Sequence, residues 1–306
     1  MPTPGDGRTL AVVGHGFIGR RVARTALAGG WKVRSLARDP LAASPDAGQD
    51  LGHEILIGDA RHGDELAQLL EGADHVVFAA GTTKPAESNT NPVHEVAANL
   101  SPLLATLDGM RRASVPGLTL LSSGGTVYGP DAPTPTPETA PLWPISTYGV
   151  LKVAAERYVG LYARQYAMSA DILRCSNVYG PGEPTHGSQG LIGVTRAALR
   201  AHRPVVVYGD GSARRDFVHV DDVAATVVAL AGRPDGVRVL NVGSGRSDSV
   251  LEVIEAVAES LGTTATLEHR PGRATDVPVV QLDVTRLRAL VDIEPRDLRR
   301  GLRAPV

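Results

Sequence analysis

The run Thr9-Leu-Ala-Val-Val13, followed at once by Gly14-His15-Gly16-Phe17-Ile18-Gly19, constrains this chain more than any other feature. A short apolar strand that breaks on glycine and reopens as a helix begins a βαβ unit, and Gly-x-Gly-x-x-Gly at that break has a mechanical reason. Gly14 permits the tight turn, Gly16 lets a ligand approach the backbone, and Gly19 lets helix and strand pack closely. Free N–H groups where the helix opens, at Phe17 and Ile18, form a ready anion site suited to a pyrophosphate. The later elements continue the pattern. Apolar runs at 32–36, 54–57, 75–78 and 118–122 alternate with helical stretches at 16–28, 64–70 and 92–112. Such alternation implies parallel strands joined by crossover helices, so the fold class is α/β, a Rossmann-type doubly wound parallel sheet. After Tyr179, strand-like pieces at 204–208, 217–220 and 237–242 mix with helices at 191–200, 223–231 and 250–261. We therefore expect a dinucleotide-binding domain over 1–176 and a smaller mixed α/β domain over 177–306, with 237–242 returning to the main sheet.

Composition removes several function classes. A net charge of −2 over 306 residues gives no electrostatic reason to expect nucleic acid or an anionic membrane as partner. No apolar run approaches the roughly 20 residues of a membrane helix, and no apolar leader precedes the first strand, so a cytoplasmic protein is expected. The single cysteine, Cys175, excludes an intramolecular disulfide framework and reads as a small buried residue of a strand. The nine histidines are scattered, with no His-Glu-x-x-His and no Cys/His cluster, so no metal site is expected. The stretch 131–144 carries five prolines and reads as a rigid loop that shapes a site rather than as a linker.

The second strand sets the cofactor preference. A carboxylate at its end ordinarily binds the adenosine ribose of NAD, but here the strand ends Ser35-Leu36-Ala37-Arg38 with no acid before Asp39. Ala37 leaves room, and Arg38, with Arg34 or Arg20 as possible helpers, offers a guanidinium suited to a 2′-phosphate. NADP(H) is favoured and NAD(H) stays possible. Asp59 and Ala60 after the third strand are candidates for the adenine end, and Ala79-Ala80-Gly81 is small enough for the cofactor to lie against backbone.

Tyr148 and Lys152 stand four residues apart on a predicted helix, which puts both on one face, one turn apart. A phenol is a poor base at neutral pH. A neighbouring ammonium and an oxidised nicotinamide favour its ionised form, and the neutral phenol can protonate a carbonyl that receives hydride. In a chain with three lysines, this pair follows the fifth strand and the proline-rich loop. Ser123 and Thr126, at the end of the fifth strand, are the candidates for a hydroxyl that polarises the substrate oxygen.

Together, GHGFIG (14–19), GDA (58–60), SSGGTVYG (122–129), YGVLK (148–152), LRCSNVYGPG (173–182) and RRDFVHVDDVA (214–224) resemble the extended short-chain dehydrogenase/reductase family, in its nucleotide-sugar epimerase/dehydratase group. NVGSG (241–245) and RATDV (273–277) carry the resemblance through the C-terminal region. The resemblance implies a first domain that binds NAD(P) and a smaller one that binds a nucleoside-diphosphate sugar. It makes Tyr148 the acid/base and Lys152 its partner, and puts Asn99 near the active site beside the cofactor. Asn177, Arg215 and Arg273 become ligands of the sugar nucleotide's diphosphate, and Asp276 a ribose contact. An ion pair between Arg215 and Asp216 is the structural alternative for that arginine. A homodimer through helices 92–112 and 146–167 is likewise implied.

Three positions depart from the family pattern. Val13 replaces a common glycine, Gly124 stands where many members place the catalytic hydroxyl, and Ala37 replaces the ribose-binding acid. Gly125-Thr126 stands where dehydratases carry an Asp-Glu pair, which disfavours dehydration. The missing acid and Arg38 favour NADPH-dependent reduction of a keto group, at C4, on a nucleoside-diphosphate hexose. The alternative is an NAD-dependent nucleotide-sugar 4-epimerase like the UDP-glucose 4-epimerases. A non-catalytic NADP-binding regulator would be expected to have lost Tyr148 or Lys152, and both are present.

Overall fold

The computed structural model describes residues 5, 7–40, 52–61, 63–81, 88–183, 190–233, 235–272 and 277–303. Arg273 and Asp276 lie outside the described residues. Strands in chain order are β1 (Thr9–Val13), β2 (Lys32–Ala37), β3 (His53–Ile57), β4 (His75–Phe78), β5 (Gly117–Ser123), β6 (Ser169–Cys175), β7 (Asn177–Tyr179), β8 (Val205–Tyr208), β9 (Arg214–Arg215), β10 (Phe217–His219), β11 (Val237–Val242), β12 (Asp248–Ser249), β13 (Leu267–Arg270) and β14 (Val279–Val280). The helices used below are α1 (Phe17–Ala28), α2 (Gly63–Leu70), α3 (Pro92–Glu95), α4 (Ser101–Ala113), α5 (Thr147–Tyr166), α6 (Leu191–Arg200), α7 (Val220–Leu230) and α8 (Val250–Ser260). The chain divides into two compact units: 1–122 with 146–173 and 223–240, and 123–145 with 174–222 and 241–306.

The first unit is built on a seven-stranded sheet of order β11–β6–β5–β4–β1–β2–β3. Parallel pairing runs from β3 through β2, β1 and β4 to β5. A parallel sheet covered on both faces needs strands that are apolar throughout, and Leu10, Ala11, Val12, Val76 and Val77 are fully buried. Leu66, Leu69 and Leu70 of α2 and Leu103, Leu107 and Met110 of α4 pack into the same core. Strand order turns around between β1 and β4, and in open α/β sheets ligands bind beyond the carboxyl ends of strands at such a switch point. Gly14 follows β1 there, and Ala79 follows β4.

One expected helix is interrupted. The stretch 92–112 is not continuous: α3 passes into a π-helical turn, Val96–Leu100, before α4 begins. Pro102 supplies the physical reason, since it has no N–H for an ordinary helical bond, and it sits in the first turn of α4, where that loss costs least.

In the second unit β7 pairs with β10, β9 lies between β12 and β14, and β13 pairs with β8. Its core gathers Tyr179, Ile192, Val207, Phe217, Ile254 and Val257 around α6 and α8. Cys175 is buried. The proline-rich stretch 131–144 forms no helix. It is tied down by Thr136, whose N–H donates to Gln281 O at 2.8 Å and whose carbonyl accepts from Asp283 N at 2.9 Å.

Candidate active site

The glycine loop is a cradle that side chains would fill. Gly14 has φ +99°, and a Cβ there would stand 2.6 Å from the Cα of Ala80. A Cβ on Gly19 would collide with the carbonyl of Gly14, whereas one on Gly16 would meet open space. Gly16 is the N-cap of α1, with no side-chain cap and no acid in the first turn. The leading N–H groups of α1 are thus left for an anion, as the pyrophosphate of a dinucleotide requires. The cleft above them is lined by Gly14, Gly16, Ala37, Arg38, Asp59, Ala60, Ala79, Ala80 and Gly81, has a volume of about 230 Å3 and is open to solvent. Phe17, Ile18 and Gly19 open α1 behind it. The residues present fit a nicotinamide dinucleotide.

At the adenosine end Ala37 is buried, while Arg38 is exposed and lines the cleft. Arg34 is not a helper there. Its guanidinium donates to the carbonyls of Gln68 and Glu71 at the end of α2, so it caps that helix. Asp59 lines the cleft but is gripped by Arg61 through contacts of 2.7–3.1 Å. The hydrogen bonds from Arg61 hold its carboxyl down at about 2.

The candidate pair, Tyr148 and Lys152, sits on α5. Ser146 caps the helix by accepting from Gly149 N–H at 3.2 Å. Asn89 Oδ1 accepts from Thr147 N–H at 2.8 Å, and Ser88 Oγ from Tyr148 N–H at 3.1 Å. Lys152 Nζ donates to Leu121 O at 2.8 Å and lies 5.5 Å from the centre of the Tyr148 ring. Tyr148, Lys152 and Asn99 line a cavity with Ala80, a residue that also lines the dinucleotide cleft. Asn99 stands on the π-helical turn and donates to the carbonyl and carboxylate of Glu95, each at 3.2 Å. The Tyr148–Lys152 pair and the glycine-loop cleft thus lie in one unit and share a lining residue.

The remaining candidates belong to the second unit. Ser123 O accepts from Thr126 N–H and Val127 N–H, so Ser123 and Thr126 share one tight turn, and Thr126 Oγ1 is buried without a partner among the described residues. Asn177 Nδ2 donates to the carbonyl of Asp216 at 2.9 Å, which links it to the residue after Arg215. The Asp216 carboxylate, fully buried, accepts from Ser244 N and Oγ, Gly245 N and Leu282 N at 2.8–3.2 Å. Arg215 donates to Arg214 O at 2.8 Å. Among the described residues no group of three or more His, Cys, Asp or Glu side chains is placed to hold a metal ion, and no helix is long and apolar enough to cross a membrane.

Residues 10–243 match the model of the NAD dependent epimerase/dehydratase family. The chain belongs to that family. It is 32% identical to the UDP-glucose 4-epimerase of Mycolicibacterium smegmatis over 94% of each chain. It is 27% identical to the dTDP-4-dehydro-6-deoxyglucose reductase of Escherichia coli, over 72% of this chain and 69% of that one. Among solved structures, the UDP-glucose 4-epimerase of Thermotoga maritima with UDP-glucose superposes with a TM-score of 0.88, at 27% identity and 96% coverage of both chains. As a member of that family it is an NAD-dependent enzyme of the epimerase/dehydratase type.

Several residues that build the site escape motif reading. Ser88 and Asn89 pin the start of α5 from more than 50 positions away, a distance that carries no local signal. Arg61 directly follows the GDA motif (58–60), which reads only Asp59 and Ala60. Glu156, one turn beyond Lys152 and buried, accepts from Ser122 Oγ at 2.5 Å. Its spacing from Tyr148 and Lys152, eight and four residues on one helix face, is the signal that could have found it.

Proposed function

We propose that this chain interconverts the C4 epimers of a nucleoside-diphosphate hexose, with Tyr148 taking and returning the proton of the reacting hydroxyl. The observation that carries this reading is the convergence of Tyr148, Lys152 and Asn99 on a cavity that shares Ala80 with the dinucleotide cleft. A bound nicotinamide nucleotide supplies the hydride chemistry. Lys152, fixed by Leu121 O, keeps a positive charge one turn from the phenol that must lose and regain a proton. Among the described residues Leu121 O takes one of its three donors, which leaves two to hold the nucleotide. Ser123 or Thr126 is the hydroxyl that would polarise the sugar oxygen, and the unpartnered Thr126 Oγ1 favours Thr126. Asn177, Arg215, Arg273 and Asp276 are the proposed ligands of the sugar nucleotide, because a buried diphosphate needs guanidinium forks and amide donors.

Similarity to UDP-glucose 4-epimerases along nearly the whole chain supports epimerisation over the one-way reduction favoured by sequence reasoning. Reduction of a C4 keto group by NADPH is the second reading, and one observation favours it: Ala37 and Arg38 at the adenosine end leave room and charge for a 2′-phosphate. Exposed Val150, Tyr158 and Leu161 on α5 support a homodimer under either reading. The test is to denature the purified protein and identify the nucleotide released, then to assay UDP-glucose for conversion to its C4 epimer without added cofactor. Retained NAD and epimer formation are expected. Empty protein that consumes NADPH with a 4-keto sugar nucleotide would overturn the first reading in favour of the second.

A further inference from the structure

His15 occupies the x position between the first two glycines of the loop, where nothing in the glycine mechanics calls for an imidazole. It is 9% exposed, it lines the dinucleotide cleft beside Arg38, and its Nδ1 is a buried polar atom with no hydrogen-bond partner among the described residues. Burial, then the neighbouring His53 and Arg20, pushes its pKa down to about 4, so the ring is neutral at pH 7. The ring is also held in place. Its centre lies 5.3 Å from that of His53, whose Nε2 is 3.0 Å from Oγ of the fully buried Ser35 on β2. A buried polar atom without a partner is destabilising unless something fills the vacancy. Here the side chain is fixed by packing, and the space it borders is the cleft that fits a dinucleotide.

We propose that His15 is a cofactor ligand, its Nδ1–H donating to a phosphate oxygen of the bound dinucleotide. The backbone N–H groups of the loop serve any pyrophosphate. The imidazole adds a side-chain donor from the loop itself, in a cleft also lined by Leu36 and Ala37 of β2. Two sources present this chemistry, the pyrophosphate of either cofactor and the 2′-phosphate of NADP(H). His53, which bonds Ser35 of β2, holds the ring in a cleft that Ala37 and Arg38 also line. The inference rests on the cleft holding a dinucleotide and is independent of which sugar reaction follows.

The test is calorimetric titration of the full chain with ADP and with adenosine 2′,5′-bisphosphate, probes that carry neither sugar substrate nor nicotinamide. His15→Ala is expected to weaken at least one probe by about 10- to 100-fold, the worth of one hydrogen bond to a charged group. His15→Asn, which keeps a donor near Nδ1 and packs less surface, is expected to recover most of that loss. Loss confined to the 2′,5′-bisphosphate assigns the 2′-phosphate, and loss with ADP as well assigns the 5′-phosphates. Unchanged affinity for both probes in His15→Ala overturns the proposal. Equal losses in the Ala and Asn variants overturn it too, because packing against His53 would then be the cause. Tyr148 and Lys152 are untouched in these variants, so a failure here leaves the epimerase reading standing.

Discussion

The two units hold their functional residues by different means. In the first, the cofactor cleft is made largely from main chain: a glycine at positive φ, an uncapped helix start, and small residues at 79–81. In the second, residues are held by buried side chains bonded to one another and to backbone. Arg174 donates to Tyr128 Oη and Glu138 O, both at 3.0 Å; Tyr128 Oη donates to Asn241 Oδ1 at 2.6 Å, and Asn241 N–H donates to Glu138 Oε1 at 2.9 Å. Asp216 gathers Ser244, Gly245 and Leu282 in the same way. Main-chain binding tolerates side-chain change but not added volume, whereas a buried network fails when any one member leaves its partners unsatisfied.

Substitutions that separate chemistry from architecture should divide along this line. Tyr148→Phe is expected to give the largest effect on function, a loss of turnover of about 10²- to 10⁴-fold from removing the proton-transfer group. Retained nucleotide and an unchanged melting temperature should accompany it, because the phenol makes no hydrogen bond among the described residues. Turnover close to wild type would remove Tyr148 from the reaction. In the second unit, Asp216→Ala should instead cost stability, about 3–5 kcal/mol, because it strands several buried donors at once. Asp216→Asn, which keeps the shape and one acceptor, should cost less. Urea unfolding of both variants measures the difference, and a loss below about 1 kcal/mol for the alanine variant would show that the network is not cooperative.

The same contrast explains what could be read from the chain. The strand–glycine–helix passage and the Tyr148–Lys152 spacing are local, and the sheet and the clustering of Tyr148, Lys152 and Asn99 follow from them. Arg34 was misread because its partners, Gln68 and Glu71, lie more than 30 positions away, and a guanidinium near a strand end serves a helix cap as readily as a phosphate. The break at Val96–Leu100 was missed because apolar spacing registers a helical face and not the hydrogen-bond pattern beneath it. Asp216 looked like a partner for the adjacent Arg215, yet it faces donors nearly 30 and more than 60 positions along the chain. Long-range side-chain networks leave no periodic trace.

Arg38→Ala tests how far the adenosine end discriminates. A charge-assisted contact to a 2′-phosphate is worth about 1.5–3 kcal/mol, so NADPH affinity should fall by roughly 10- to 100-fold while NADH affinity holds. Equal changes for the two nucleotides would leave Arg38 a solvated loop residue and strengthen the case for NAD.

His75 is the exception that tests the comparison itself, because it gives the first unit a buried polar network of the second unit's kind. Fully enclosed in β4, it lies 2.8 Å from Thr119 Oγ1 through Nε2 and accepts from Gly232 N–H through Nδ1 at 3.3 Å. Nδ1 must therefore be unprotonated and Nε2 the donor, so the ring is required neutral. Burial first, with Arg8 and Arg238 adding to it, lowers its pKa from 6.5 to about 3. A group whose folded value lies below its unfolded one contributes stability that is complete above the unfolded value and is lost as pH falls toward the folded one. The first unit should thus lose up to about 1.4 kcal/mol per pH unit between pH 6.5 and 3 from this residue. At Asp216 the sign is opposite: burial raises its pKa, so acid does not penalise folding through that carboxyl. His75→Gln, which can keep one donor and one acceptor, should flatten the pH dependence of unfolding between 6.5 and 3 by close to one proton. An unchanged slope in that variant would mean that His75 is protonated in the folded protein and that its two hydrogen bonds are not those of a neutral ring.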